Sequence, residues 1–489
     1  MKPPRILPAA MLALAAALAQ PATAPRIAAH LTANSLKADV SFLASDALEG
    51  RATPSRGLDI AAEYIASQFR RAGLEPAGDD GYFETAPYIT VDPNLEGLEL
   101  TFESGGRTIH VDKNAIAIQE AAAVDLVHAP VLTVILNKLN ALDALTPDQV
   151  RGKVLVIVSP SGGSRSPRRG LRTAIDRLGP VVVVTVSSLP TPANPGGRLR
   201  ETSAPGPSVP ILAVWDAALR KALESGGAAT ISAHIPAPVI APVKVRNVIG
   251  VLRGSDPVLK NTYLLVSAHY DHLGIRETGP GDRIYNGAND DASGTASAIE
   301  IANALAALPT RPKRSIVFLA FFGEELGEIG SQYYTRHPVF PLAATVADVN
   351  LEQLGRTDDS EGPHVGMFNL TGFDFTDLPA FFRRAAAETG IRVVKDGKNS
   401  DYYFPASDNL PFAEVGVPAT TVSVSYQFPD YHQPGDEWPK LDYANMEKVD
   451  VAIALGVYAI ADGLSAPEWN AANPQTEAFV KARRTLKRE

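Results

Sequence analysis

Apolar positions along residues 27–88 recur at helical spacing: Leu36, Val40 and Leu43, then Ile60, Ala61, Tyr64, Ile65 and Phe69. That three-to-four repeat keeps one face of a helix against a core. Gly73, just after Arg70 and Arg71, is a helix stop signal. From about residue 91 to 242 the texture changes to short β-branched runs: VLTVIL from Val131, KVLVIV from Lys153, VVVVTV from Val181 and VPILAV from Val209. The segments SPSGGSRSPRRG and PTPANPGG between them have loop compositions. This block reads as a separate strand-rich domain. From about residue 243 the runs LLVSAHY, RSIVFLAFFGEE, TVADVNLEQ and PATTVSVS read as strands, and NDDASGTASAIEIANALAAL reads as a helix. Their alternation predicts an α/β domain with a mixed, mainly parallel central sheet flanked by helices. Such sheets carry their chemistry at the carboxyl ends of strands. The last residues, 466–489, are polar and rich in Ala, Lys and Arg, and read as a terminal helix or frayed tail.

Composition adds bounds to this picture. A chain of 489 residues has room for two or three domains. Its net charge of −9 argues against nucleic acid or an anionic membrane as a partner. The basic run Arg165, Arg168, Arg169 and Arg172 lies among Gly, Ser and Pro and reads as a solvated loop. Cysteine is absent, which excludes disulfides, thiolate ligands, a Cys nucleophile and a lipid-modified N-terminal Cys. Lys2 and Arg5 precede an apolar Ala/Leu-rich stretch at residues 11–18 that is too short for a bilayer span. It reads as an export signal, residues 1–19. Cutting after Ala19 is favoured over cutting as late as Ala24, because Pro25 follows the latter. The expected location is therefore periplasmic or extracellular, with an uncleaved anchor helix as the alternative. No later segment has the length and apolarity of a membrane helix, so no stable span remains after cleavage. Nothing in the sequence specifies an oligomeric state.

Histidines and acids gather at the predicted strand ends of the third block. His269 closes the LLVSA strand, and Asp271 stands two residues on, a spacing that lets a carboxylate fix an imidazole tautomer. Asp290 and Asp291 open the next helix, where a cap and the helix dipole explain one acid well and the second less well. Glu324 and Glu325 leave an apolar strand side by side, and adjacent desolvated carboxylates repel unless a cation compensates. Glu352 follows another apolar strand; Tyr431, His432 and Asp436 follow the last. Nitrogen and oxygen donors without thiolate suit zinc, with cobalt or manganese as substitutes. No HExxH helix is present, so a single-zinc thermolysin-like site is not indicated. His110, His128 and His234 in the middle block are far apart in sequence and read as ordinary histidines.

Taken in order, SAHYDHLG, NGANDDASGTA, FFGEELGEIGSQYY, NLEQLGR, SDNLPFAEVGVPA and YHQPGDE resemble metallopeptidase family twenty-eight. Those di-zinc peptidases include bacterial leucyl aminopeptidases and glutamate carboxypeptidase, with the non-catalytic transferrin receptor as a relative. The segment LASDALEGRATPSRG resembles the family's N-terminal segment. The resemblance implies a zinc-exopeptidase (phosphorylase/hydrolase-like) fold: a helical segment at 25–90, an inserted β-rich protease-associated domain at 91–242 and a catalytic domain at 243–465. It further implies two zinc ions, one on His269 and Glu352, the other on Glu325 and His432, with Asp290 bridging. Glu324 would be the general base and acid, Asp271 the partner of His269, and Asp436 the residue orienting His432. Tyr431 would donate to the oxyanion, or else pack beside the site. Glu352 stands where many members have Asp, and Asn409 stands where His often follows Ser-Asp. The implied activity is hydrolysis of N-terminal residues from peptides by a water that Glu324 activates. A carboxypeptidase or dipeptidase on the same metals, a receptor-like binding protein and a glutaminyl-cyclase-like activity remain alternatives.

Overall fold

Strands whose residues are all buried belong to a sheet covered on both faces, which is why they read as unbroken apolar runs. The computed structural model describes residues 23–488 apart from 121, 136–141, 159–167, 188–197, 205, 207–208, 227–228, 277–278 and 398. The expected export signal, Arg165 and the PTPANPGG loop lie outside the described residues. Two compact units form, one from the chain up to Ala86 and from Val245 on, the other from Pro87–Lys244.

In the first unit the strands are β1 (Phe83–Asp92), β2 (Val239–Leu252), β3 (Tyr263–His269), β4 (Ser315–Phe321), β5 (Thr345–Leu351), β6 (Met367–Leu370), β7 (Arg392–Val394) and β8 (Ala419–Ser423). β1 and β2 also carry the chain into and out of the second unit. The order is β7-β6-β8-β5-β3-β4-β2-β1. The four central strands β8, β5, β3 and β4 run parallel, and every residue in them is buried. β2 pairs antiparallel with β4, and β6 with β8, so the sheet is mixed at its flanks.

The helices are α1 (Ala33–Leu43), α2 (Arg56–Arg71), α3 (Gly294–Ala306), α4 (Ile329–Arg336), α5 (Leu378–Ala386), α6 (Tyr443–Asp462) and α7 (Glu477–Leu486). Phe318 of β4 meets Phe69 of α2, with ring centroids 6.3 Å apart. Phe321, an odd number of residues on, faces the other way and meets Tyr334 of α4. α2 starts at Ser55, whose hydroxyl accepts the Leu58 N–H, and stops before Gly73 at φ +73°. Gly456 of α6 lets the Phe382 ring of α5 approach to within 2.3 Å of where a Cβ would stand.

Several elements differ from the sequence expectation. The helical block does not extend to residue 88: FETAPYITVD is the strand β1, whose burial alternates at several positions. The helix expected from NDDASG begins only at Gly294, and Asp290 and Asp291 have non-helical backbones in the turn before it. Of the two readings of the last residues, terminal helix or frayed tail, the helix is the one found. α7 packs Phe479 and Val480 onto the core, Phe479 stacking on Trp469 at 4.9 Å. Arg168–Leu178 is a helix, so Arg168, Arg169 and Arg172 lie on it rather than in a loop.

The second unit holds an eight-stranded sheet. Its centre is four parallel strands, Val124–Ile135, Val154–Val158, Val182–Val186 and Ile211–Val214, which contain the β-branched runs. One apolar cluster includes Val156, Val184 and Leu212, and another Leu155, Ile157 and Val183, in keeping with the alternation of side chains across a strand. His110, His128 and His234 pair with Thr101, Glu103 and Asp125 respectively, each at an exposed position.

Candidate metal centre

The parallel strands of the first unit bring the acids and histidines together because their carboxyl ends open on one edge of the sheet. His269 is the last residue of β3 and fully buried. Its Nε2 lies 3.2 Å from Asp290 Oδ1 and 3.9 Å from Glu324 Oε2. Asp290 Oδ2 lies 3.1 Å from His432 Nε2, so the two oxygens of one carboxylate face two different imidazoles. His432 Nε2 is also 3.3 Å from Glu325 Oε2. Ligand atoms of His269, Asp290 and Glu352 converge, as do those of His272, Asp290 and Glu325, and Asp290 belongs to both groups.

Local backbone explains these placements. Glu324 and Glu325 turn out of β4 through Gly323 at φ +69°, where a Cβ would stand 2.4 Å from an Ile329 side-chain carbon. Asp271 Oδ1 accepts the Glu324 N–H at 3.1 Å, and its Oδ2 accepts the Thr53 hydroxyl at 3.0 Å. Asp271 Oδ1 stands 3.6 Å from His269 Nδ1, and the Asp271 carbonyl oxygen is nearer, at 3.3 Å. The Asp271 backbone thus shares the task expected of its carboxylate. Glu352 follows β5, and its carboxylate accepts from Gln353 Nε2 at 3.2 Å and from the Ser407 side chain. Its extra methylene does not remove it from the cluster.

Asp436 is placed otherwise than expected. Its carboxylate accepts the N–H groups of Asn289 and Asp290 at 3.0 Å, so it braces the Asp290 turn, and no bond to His432 is found among the described residues. His432 has φ +54° and is about one-third exposed, its ring stacked on that of Tyr431 at 3.9 Å. Tyr431 is itself 44 % exposed. Partial burial and the fields of Asp290, Glu352, Glu325 and Glu324 raise its pKa further above neutrality. Asn409 lies buried under the sheet, accepting from Thr421 Oγ1 and donating to the Phe404 carbonyl, outside the donor cluster.

His272 is the site residue that sequence reasoning passed over, although it stands inside SAHYDHLG. It is buried, with Nδ1 2.6 Å from Glu325 Oε1. The pair is off the line of an ideal hydrogen bond, and neither ring nitrogen has a well-aligned partner among the described residues. The signal available was a second histidine three residues after the first, set beside an acid already singled out.

The electrostatics call for a cation. Burial raises Glu324 well above the usual carboxylate range; His269 opposes this, while Glu325, Glu352 and Asp408 reinforce it. Burial likewise lifts Glu352 to about 7, with His269 opposing. Burial acts to raise Asp290 as well, but its two histidines outweigh that and hold it low. Among the described residues, His269 Nε2 is buried without a well-aligned hydrogen-bond partner. Crowded buried carboxylates and an orphaned imidazole nitrogen fit a bound divalent metal, and the donor set fits zinc.

Fold and donor set together define the class: an α/β protein with a histidine–carboxylate metal centre at the ends of parallel strands. Residues 247–456 match peptidase family M28, and the chain therefore contains a domain of that family. A probable zinc metalloprotease of Leptosphaeria maculans is 42% identical over 211 residues, 41% of this chain and 44% of that protein. An aminopeptidase of Bacillus subtilis is 25% identical over 219 residues, 44% of each chain. Three further curated relatives, probable zinc metalloproteases of Pyrenophora and Pyricularia, are spanned over 60%, 27% and 39% of their length. The solved aminopeptidase of Aneurinibacillus sp. strain AM-1 superposes with a TM-score of 0.58 at 20% identity, over 91% of this chain and 100% of that one. A zinc aminopeptidase of Bacillus subtilis gives 0.52 at 20% identity, over 88% and 95%. These likenesses show a shared fold.

Proposed function

We propose that the protein is an exported, zinc-dependent exopeptidase that removes N-terminal residues from peptides. The observation that carries this reading is Asp290, whose two oxygens face His269 and His432 at 3.2 and 3.1 Å. A carboxylate so placed is suited to bridge two cations, one completed by His269 and Glu352, the other by Glu325 and His432. When bound, the zinc ions would acidify a water and polarise the scissile carbonyl. Glu324, 3.9 Å from His269 Nε2, is the acid left over from that ligand set. Its raised pKa suits it to take the water's proton and return it to the leaving amine. Tyr431 is the donor to the oxyanion. The second unit is a protease-associated-like insert.

Arg356 favours the amino end of the substrate over the carboxyl end. A carboxypeptidase needs a cation for the terminal carboxylate, and Arg356 is the arginine beside the Glu352 strand end. Its guanidinium is spent on Asp358, at 2.7 and 2.6 Å, and on Asp430, at 2.9 Å. Arg51, a second cation close to the centre, donates to backbone carbonyls. The site is thus rich in carboxylates that attract a free ammonium group. Residue release from a mixed library of free and end-blocked peptides, run beside metal analysis, tests the reading. We expect about two zinc ions per chain and cleavage that requires a free N-terminus. Release confined to carboxyl ends, or a chain that binds no zinc, overturns it.

A further inference from the structure

Arg51 lies in the LEGR segment, before the second unit in sequence, and is only 1 % exposed. Its backbone is left-handed at φ +51°, following Glu49 and Gly50 at +50° and +69°. A Cβ on Gly50 would stand 2.5 Å from the Tyr285 carbonyl oxygen, so the turn is pressed against the loop it serves. The guanidinium donates from Nε to the Tyr270 carbonyl at 2.8 Å, and from Nη1 to the carbonyls of Asn286 at 2.8 Å and Leu43. Nη2 donates to the Gly287 carbonyl at 3.0 Å. Arg51's own carbonyl accepts the His272 N–H at 3.2 Å. No carboxylate forms an ion pair with it among the described residues.

A buried cation bonded only to carbonyls is costly to desolvate, and packing alone would be served better by an apolar side chain. What the guanidinium offers is a planar fork that reaches several acceptors at once, which a lysine ammonium cannot match. The acceptors belong to three segments: the end of α1, the residue after His269, and the loop that leads to Asp290. One side chain therefore ties together the chain segments that lead out of His269 and into Asp290. Asp290 is shared by both donor groups.

We infer that Arg51 is a positioning residue that holds the His269 strand end and the Asp290 loop in register, and so sets the zinc affinity of both cation positions before metal arrives. The inference rests on the zinc-centre reading above. Loosening the Asp290 loop must weaken both positions together, whereas loss of an outer ligand weakens one.

The test is zinc titration of chelator-stripped full-length protein against a chromophoric competitor, with cobalt absorption as a second readout and circular dichroism as the control for folding. For R51K we expect a folded protein with zinc affinity down about 10- to 100-fold at both positions, the range seen when residues supporting metal ligands are changed. In R51A, added ethylguanidinium should restore part of the loss. H432A should weaken one position and spare the other. Folding of R51K only in the presence of zinc also supports the inference. Wild-type affinity in folded R51K, loss at one position only, or failure of R51K to fold with and without zinc overturns it. If wild-type protein itself binds no zinc, the failure belongs to the functional reading and not to Arg51.

Discussion

The two units are built on the same device, four parallel strands at the centre of a sheet, yet they differ in the residues at which those strands exit. In the first unit the central strands lead into His269, Glu324 with Glu325, Glu352 and, beyond a longer loop, His432. In the second, the first six residues after Ile135, Val158 and Val186 contain no His, Asp or Glu. The fourth strand leads to Asp216, which caps the helix Ala217–Glu224 by accepting the Leu219 N–H at 2.8 Å. A parallel sheet is therefore a scaffold and not a function. Chemistry depends on whether the exits carry groups that gain from being desolvated together.

The largest effect that would break this comparison is at Glu324. E324Q keeps the side chain's size and should leave zinc content unchanged while turnover falls on the order of 10²–10⁴-fold. Aminoacyl reporter assays beside metal analysis check both halves; substantial turnover by the variant sinks the role assigned to Glu324.

A smaller, sharpening effect comes from matched core deletions, since Val266 of β3 and Val184 of the second unit are both fully buried. Each Val→Ala change should cost about 2 kcal/mol in its own unit, read by denaturant melts. Only V266A, three residues before His269, should also weaken zinc binding. Equal effects on zinc would mean that the exits do not separate the units.

The smallest effect is a pH dependence. Burial lifts Glu84 from 4.5 to about 7, against the Asn247 bond that lowers it. A carboxyl whose pKa is raised on folding stabilises fully below its unfolded value of about 4.5, and that contribution is lost as pH rises through about 7. The melting temperature of zinc-free protein should carry that falling contribution between those values, and E84Q should flatten the slope. An unchanged slope in E84Q would show that the group titrates normally.

Much of the centre was legible in the chain because its residues end apolar runs, where an acid or histidine has no reason to be unless paired. Glu324 beside Glu325 is the clearest case. The strand β1 was not legible: FETAPYITVD mixes polar and apolar positions too evenly to stand out after a helical block. Its place beside β2 supplies the ladder that its composition does not announce. Arg51 and His272 were present in the motifs, but their tasks depend on partners more than two hundred and about fifty residues away.

By itself, then, the sequence determined the mixed α/β sheet, its buried parallel strands and the identities of the groups gathered at their ends. These follow from local periodicity and from the cost of leaving charge beside apolar runs. Only the tertiary structure decided that Asp436 braces the Asp290 turn, that His272 faces Glu325 and that Arg51 laces the ligand segments together. A backbone group carries no residue-type signature, whether it accepts from Arg51 or donates to Asp436, and His272 meets Glu325 only across about fifty residues of chain. Such contacts are settled when the chain closes and not before.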